Sequence, residues 1–113
     1  METQSEVMII DDTKDIIKQM SNEFDAHDFI FAYINYCTHK YFAMLGRINY
    51  NVNLTNAQIS HFISQNLEEL RLEVLGEVVS LNIMSNLSTC MSWKKYKDNK
   101  FILINSNECL CSN

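Results

Sequence analysis

The sequence predicts an α+β domain with about three N-terminal helices followed by a small antiparallel β-hairpin or meander. Three observations carry that expectation. Apolar residues recur every three or four positions through most of the first 75 residues. Gly46 and Gly76 each follow the last periodic residue of such a run, where a helix C-terminus favours glycine. Beyond Gly76 the apolar period falls to two, the period of a strand.

The first predicted helix runs from Thr13 to about Asn22, with Ile16, Ile17 and Met20 inward. The second spans 26–45. Asp25 can cap it, Phe24 can staple to Phe29, and Phe29, Ile30, Tyr33, Ile34, Cys37, Tyr41, Met44 and Leu45 form its inner face. The third spans 56–75, capped by Thr55 with Gln58 in the reciprocal position and lined by Ile59, Phe62, Ile63, Leu67, Leu70 and Val74. Three strands follow, around Val79–Ile83, Thr89–Trp93 and Phe101–Leu103, with turns at Ser85-Asn86 and Asp98-Asn99; a short helix over 85–92 is the competing reading. The expected core contains Ile30, Tyr33, Ile34, Ile59, Phe62, Ile63, Leu67, Leu70, Leu81 and Leu103. At 113 residues the chain is one small domain, 1–113, with 1–12 and 105–113 expected to be loose ends.

Composition narrows the function classes. The absence of proline and the presence of only two glycines exclude proline-rich ligands and glycine-rich phosphate loops. No apolar run approaches the length of about eighteen residues that a membrane span needs, and the first residues lack the pattern of a secretory signal. The expectation is a cytoplasmic protein without membrane contact, with Cys37, Cys90, Cys109 and Cys111 as free thiols. The Asn-, Ile-, Lys- and Tyr-rich composition points to an AT-rich genome, such as that of a low-GC bacterium, a phage or a virus, the location in the last two cases being the host cytoplasm.

Candidate chemistry is sparse. Cys37 and His39 diverge on a helix, His27 and His61 lie on other segments, and Cys109-x-Cys111 has the wrong spacing for a zinc knuckle, so neither a metal nor a cofactor is expected. No glycine-flanked nucleophile turn occurs, and the reading is non-enzymatic.

The remaining signals concern partners. Eight acids against two lysines fill residues 1–28, and Phe31 and Phe42 fall off the inner face of the aromatic helix. These features predict a small acidic protein that binds another protein, in concrete form a phage or viral inhibitor of a host factor, through Phe31, Phe42, Asp11, Asp12, Asp15 and Glu23, with Phe31 and Phe42 also forming a homodimer. The alternative rests on Lys94, Lys95, Lys97 and Lys100 around Trp93 and Tyr96. Three helices followed by such a basic hairpin resemble a winged-helix domain in element order. That resemblance implies a third helix in the DNA major groove, with Asn56, Gln58, Ser60 and Gln65 facing bases. Against it, the predicted third helix carries Glu68, Glu69 and Glu73, so nucleic-acid binding is expected to be weak.

Overall fold

The computed structural model describes residues 8–96. Helix α1 (Ile10–Lys18) is followed by a three-residue strand β1 (Glu23–Asp25), helices α2 (Ala26–Tyr36), α3 (Thr38–Arg47) and α4 (Val52–Ser64), a single turn α5 (Leu67–Leu70), and the hairpin of β2 (Leu72–Leu81) and β3 (Leu87–Lys95). The sheet is antiparallel with order β1-β3-β2. The α+β class is therefore as expected, while several boundaries differ.

Helix α1 starts before Thr13, and Asp11 and Asp12 lie in its first turn where the helix dipole favours negative charge. The Asp25 cap holds: its carboxylate accepts the Asp28 N–H, and the Asp28 carboxylate accepts the Asp25 N–H. Phe24 and Phe29 are both buried beside it.

The predicted helix over 26–45 is two helices. At Cys37 the backbone leaves helical geometry with ψ 54°, and the Thr38 hydroxyl takes the Ile34 carbonyl at 2.7 Å. A side-chain donor thus occupies an acceptor that a continuous helix would give to the Thr38 N–H. Gly46 lies inside α3, and the turn is made instead by Asn49 and Tyr50 at positive φ, with the Tyr50 N–H on the Leu45 carbonyl.

The predicted helix over 56–75 also changes at both ends. Asn51, not Thr55, is the cap: its side chain accepts the Leu54 N–H, and Thr55 is a fully buried interior residue whose hydroxyl donates to the Asn51 carbonyl. The helix stops at Ser64, and Arg71 in the left-handed region turns the chain into β2. Residues 72–75 are strand, and Gly76 sits at a bulge inside β2 with φ 123°.

Residues 87–95 are strand, which removes the competing helix over 85–92. Ser85 at positive φ and Asn82, whose side-chain Oδ1 accepts the Met84 and Asn86 N–H groups, close the hairpin. The expected third strand over 101–103, with Leu103, lies outside the described residues. The third strand of the sheet is β1.

The core joins Phe24, Phe29, Ile30, Tyr33, Ile59, Ile63, Leu70, Leu72 and Trp93, with Ile34, Phe62 and Leu67 half-buried against it. Leu81, expected inside, is 61% exposed because it stands at the far end of the hairpin.

Two glycines with opposite surroundings give a paired prediction. Gly46→Ala should raise stability by about 0.5 kcal/mol, since an added Cβ meets only the Tyr50 ring at ordinary distance. Gly76→Ala should lower it by about 1–3 kcal/mol through backbone strain. Denaturant melts check both. In the same assay Asn51→Ala should cost about 1 kcal/mol as the loss of a helix cap.

Candidate functional site

Between α4 and the hairpin lies an open cleft of about 310 Å³, whose floor is the start of α2. Asn53, Asn56, Ala57 and Ser60 line it from the helix, and Glu77, Asn82 and Ser88–Met91 from the hairpin. His27, in the first turn of α2, lines it as well. The Asp25 cap fixes the first turn of α2 and so places this imidazole over the sheet, with Nδ1 2.7 Å from the Ser80 hydroxyl and Nε2 3.2 Å from the Ser88 hydroxyl. Ser80 and Ser88 are directly opposite in the β2–β3 register, so one ring spans a cross-strand pair. The Asn82 amide donates to Ser88 at 3.3 Å, and the Cys90 sulfur is 3.8 Å from the Ser80 oxygen. Asp25, His27 and Cys90 offer ligand atoms within 4.8 Å of one another.

Chemically, the cluster combines imidazole, hydroxyls, a thiol and a carboxylate at half-buried positions. Both imidazole nitrogens face serine hydroxyls, which differs from a hydrolytic triad, where a carboxylate orients the base.

A second polar cluster joins α1 to α2 and α3. Lys40 donates to Asp12 at 2.7 Å, with both side chains half-buried. Burial, the neighbouring Cys37 and Asp12 all push the Tyr33 hydroxyl upward from its ordinary value. Burial, then Asp12, pushes the Cys37 thiol up, partly offset by Lys40. The Tyr33 hydroxyl is buried without a hydrogen-bond partner.

The sequence-predicted residues fall into separate places. Phe31 is on α2 and Phe42 on α3, both more than half exposed, with Phe42 edge-on to Tyr41. Asp11, Asp15 and Glu23 are exposed on α1 and β1, while Asp12 is committed to Lys40.

Of the lysine set, Lys94 and Lys95 are among the described residues, and they stand away from the β2–β3 turn. Lys94 and Lys95 stand at the β1 end of β3, and the Lys95 ammonium donates to the Met20 carbonyl at 2.8 Å, its pKa lowered by burial. Lys97 and Lys100 lie outside the described residues. Trp93 is fully buried against Phe24, with ring centroids 5.8 Å apart, and cannot stack on a base. The objection to nucleic-acid binding changes too. Glu68 and Glu69 are on α5 and Glu73 on β2, so α4 contains no charged residue.

Sequence reasoning missed His27, Ser80, Ser88 and Cys90 as a group. The available signal was the small polar alternation Ser88, Cys90, Ser92 along one strand.

Comparison of the chain with protein-family models, with curated proteins and with solved structures returns no match.

Tyr33 and Cys37 generate a pH prediction. Both have folded pKa values raised above the unfolded ones, so the folded state holds their protons longer and the associated stability is complete below the unfolded values, 9.0 for the thiol and 10.0 for the phenol. Stability should fall as pH rises past 9.0, with Tyr41 acting in the same sense and Lys95 in the opposite one. Tyr33→Phe should leave neutral-pH stability unchanged or higher, because it removes an unpaired buried hydroxyl. It should also reduce the alkaline loss, which urea melts at pH 7 and pH 10 would read.

Proposed function

We propose that this chain is a non-catalytic binding domain on a winged-helix scaffold, and that the hairpin engages a protein, in the first instance a second copy of the chain. The scaffold reading is supported by the element order. Among the described residues a helix, a short strand, further helices and a hairpin follow one another, with sheet order β1-β3-β2; counting α2 and α3 as one interrupted helix, α4 would be the third helix of such a scaffold and β2–β3 its wing.

The surface of the hairpin carries the choice of partner. From Gly76 to Ser92 its one charged residue is Glu77, while Val79, Leu81, Met84 and Leu87 are each more than half exposed. This stretch has no cation with which to neutralise phosphates, whereas a concentration of exposed apolar side chains favours burial against protein. Among the described residues strand β2 is also a sheet edge, without proline or lysine to block pairing. Antiparallel pairing of Glu77–Leu81 with its copy, with Val79 opposite Val79, sets Glu77 against Leu81 and keeps the two carboxylates apart. An inhibitor of a host factor, the finer form of the protein-binding reading, would present the exposed Asp11, Asp15 and Glu23 instead.

A second reading is favoured by α4. Asn53, Gln58, His61 and Ser64 are exposed on an uncharged helix, which suits contact with base edges better than the acidic helix expected from sequence.

Sedimentation analysis should find a concentration-dependent dimer, and Val79→Lys with Leu81→Lys should make it monomeric with an unchanged circular dichroism spectrum. A monomer in the unsubstituted protein would overturn the dimer. Duplex DNA should bind no tighter than about 10⁻⁶ M at physiological salt. Sequence-selective binding below about 10⁻⁸ M, abolished by Gln58→Ala with His61→Ala, would establish the second reading.

A further inference from the structure

We propose that Asp25, His27 and Cys90 form a binding site for a borderline divalent metal ion, zinc being the best match to the donors. The three residues come from the end of β1, the first turn of α2 and the middle of β3, and their ligand atoms lie within 4.8 Å of one another. Tetrahedral zinc, with bonds of about 2.0–2.3 Å, separates its donors by about 3.5 Å, so side-chain movements of about 1 Å close the site. One nitrogen, one sulfur and one carboxylate oxygen leave a fourth position for water, the open arrangement of a three-ligand zinc centre.

The neighbours prepare each ligand. One Asp25 oxygen accepts the Asp28 N–H, which fixes the carboxylate and leaves the other oxygen for an ion. His27 Nε2 can donate its proton to the Ser88 hydroxyl, in turn held by Asn82, which leaves Nδ1 as the ligand. Metal-bound histidines characteristically use their second nitrogen in this way. Ser80 lies beside both Nδ1 and the Cys90 sulfur, and marks the space the ion would enter. Binding replaces the Cys90 S–H bond by a sulfur–metal bond and releases one proton to solvent. The divalent ion, thiolate and carboxylate then balance to zero charge, which suits a half-buried position. Such an ion would clip the N-terminus of α2 to the hairpin. The proposal does not depend on the partner assigned to the hairpin.

The test is titration with cobalt(II), a spectroscopic substitute for zinc, on the full chain carrying Cys109→Ser and Cys111→Ser so that the tail thiols cannot contribute. A thiolate-to-cobalt absorption band with visible bands of tetrahedral intensity is expected, displaced by zinc. Cys90→Ser and His27→Gln should each abolish it. Ser88→Ala should weaken affinity about 10–100-fold as a loss of ligand orientation. Cys37→Ser should leave it unchanged. A measurement needing no site variant is protection from iodoacetamide: zinc should shield Cys90 and not Cys37. Absence of the band, its survival in Cys90→Ser, or equal alkylation of Cys90 with and without zinc would overturn the site.

Discussion

Pairing of β1 with β3 is the constraint on which the remainder of the molecule depends. Three residues, Glu23, Phe24 and Asp25, lie opposite Lys94, Trp93 and Ser92, and this short ladder joins the helices to a hairpin that begins almost fifty residues later. Its centre is the buried Phe24–Trp93 contact, where two large rings leave water together. Asp25 is at once the last residue of that strand and the cap of α2, so the helix cannot shift without breaking the ladder. The imidazole of His27, two residues on, is thereby delivered to Ser80 and Ser88.

Charge is divided by the same architecture. Asp11, Asp12 and Asp15 lie on α1 and Glu23 and Asp25 on β1, and Asp12 reaches across to Lys40, whereas α4 carries no charged residue and the hairpin between Gly76 and Ser92 only Glu77. The cleft between α4 and the hairpin is therefore lined mainly by amides, hydroxyls and apolar groups, with Glu77 its one carboxylate. A surface of that kind recognises shape and hydrogen-bonding groups better than bulk charge. On the proposed reading, that is the reason to expect protein rather than phosphate backbone at the hairpin.

Some local signals in the sequence hold in the structure, while others, the Thr55 cap and the helix stops at Gly46 and Gly76, do not, and the long-range contacts were not legible. The Asp25 cap, the Ile59 and Ile63 face and the change of period after the helices all follow from neighbours a few residues apart. The break at Cys37 was hidden because Tyr33, Cys37 and Tyr41 keep a spacing of four straight through it, while the interruption turns on one threonine hydroxyl. Leu67, Leu70 and Val74 misled in the same manner. Their spacing fits a helix, yet Arg71 in the left-handed region converts the run into one helical turn followed by strand. Strand β1 is too short to show alternation. The cleft was illegible because Ser80 and Ser88 lie more than fifty residues from His27, and only the β1–β3 ladder brings them together.

The bulge in β2 limits what the hairpin edge can do. With Leu75 extra and Gly76 at positive φ, the strand twists between Val74 and Gly76, so its outer edge is not one flat template of ten residues but two short ones. The half nearer the core begins with Leu72, which is buried in the same core as Trp93, and continues through the exposed Glu73. The far half, Glu77 to Leu81, projects with Val78, Val79 and Leu81 exposed. A bulge at this place restrains open-ended edge association while leaving a segment long enough for one defined partner. Because that segment includes Ser80, a partner strand on it would lie along the backbone that also holds His27, placing the hairpin edge and the polar cleft on the same structural element.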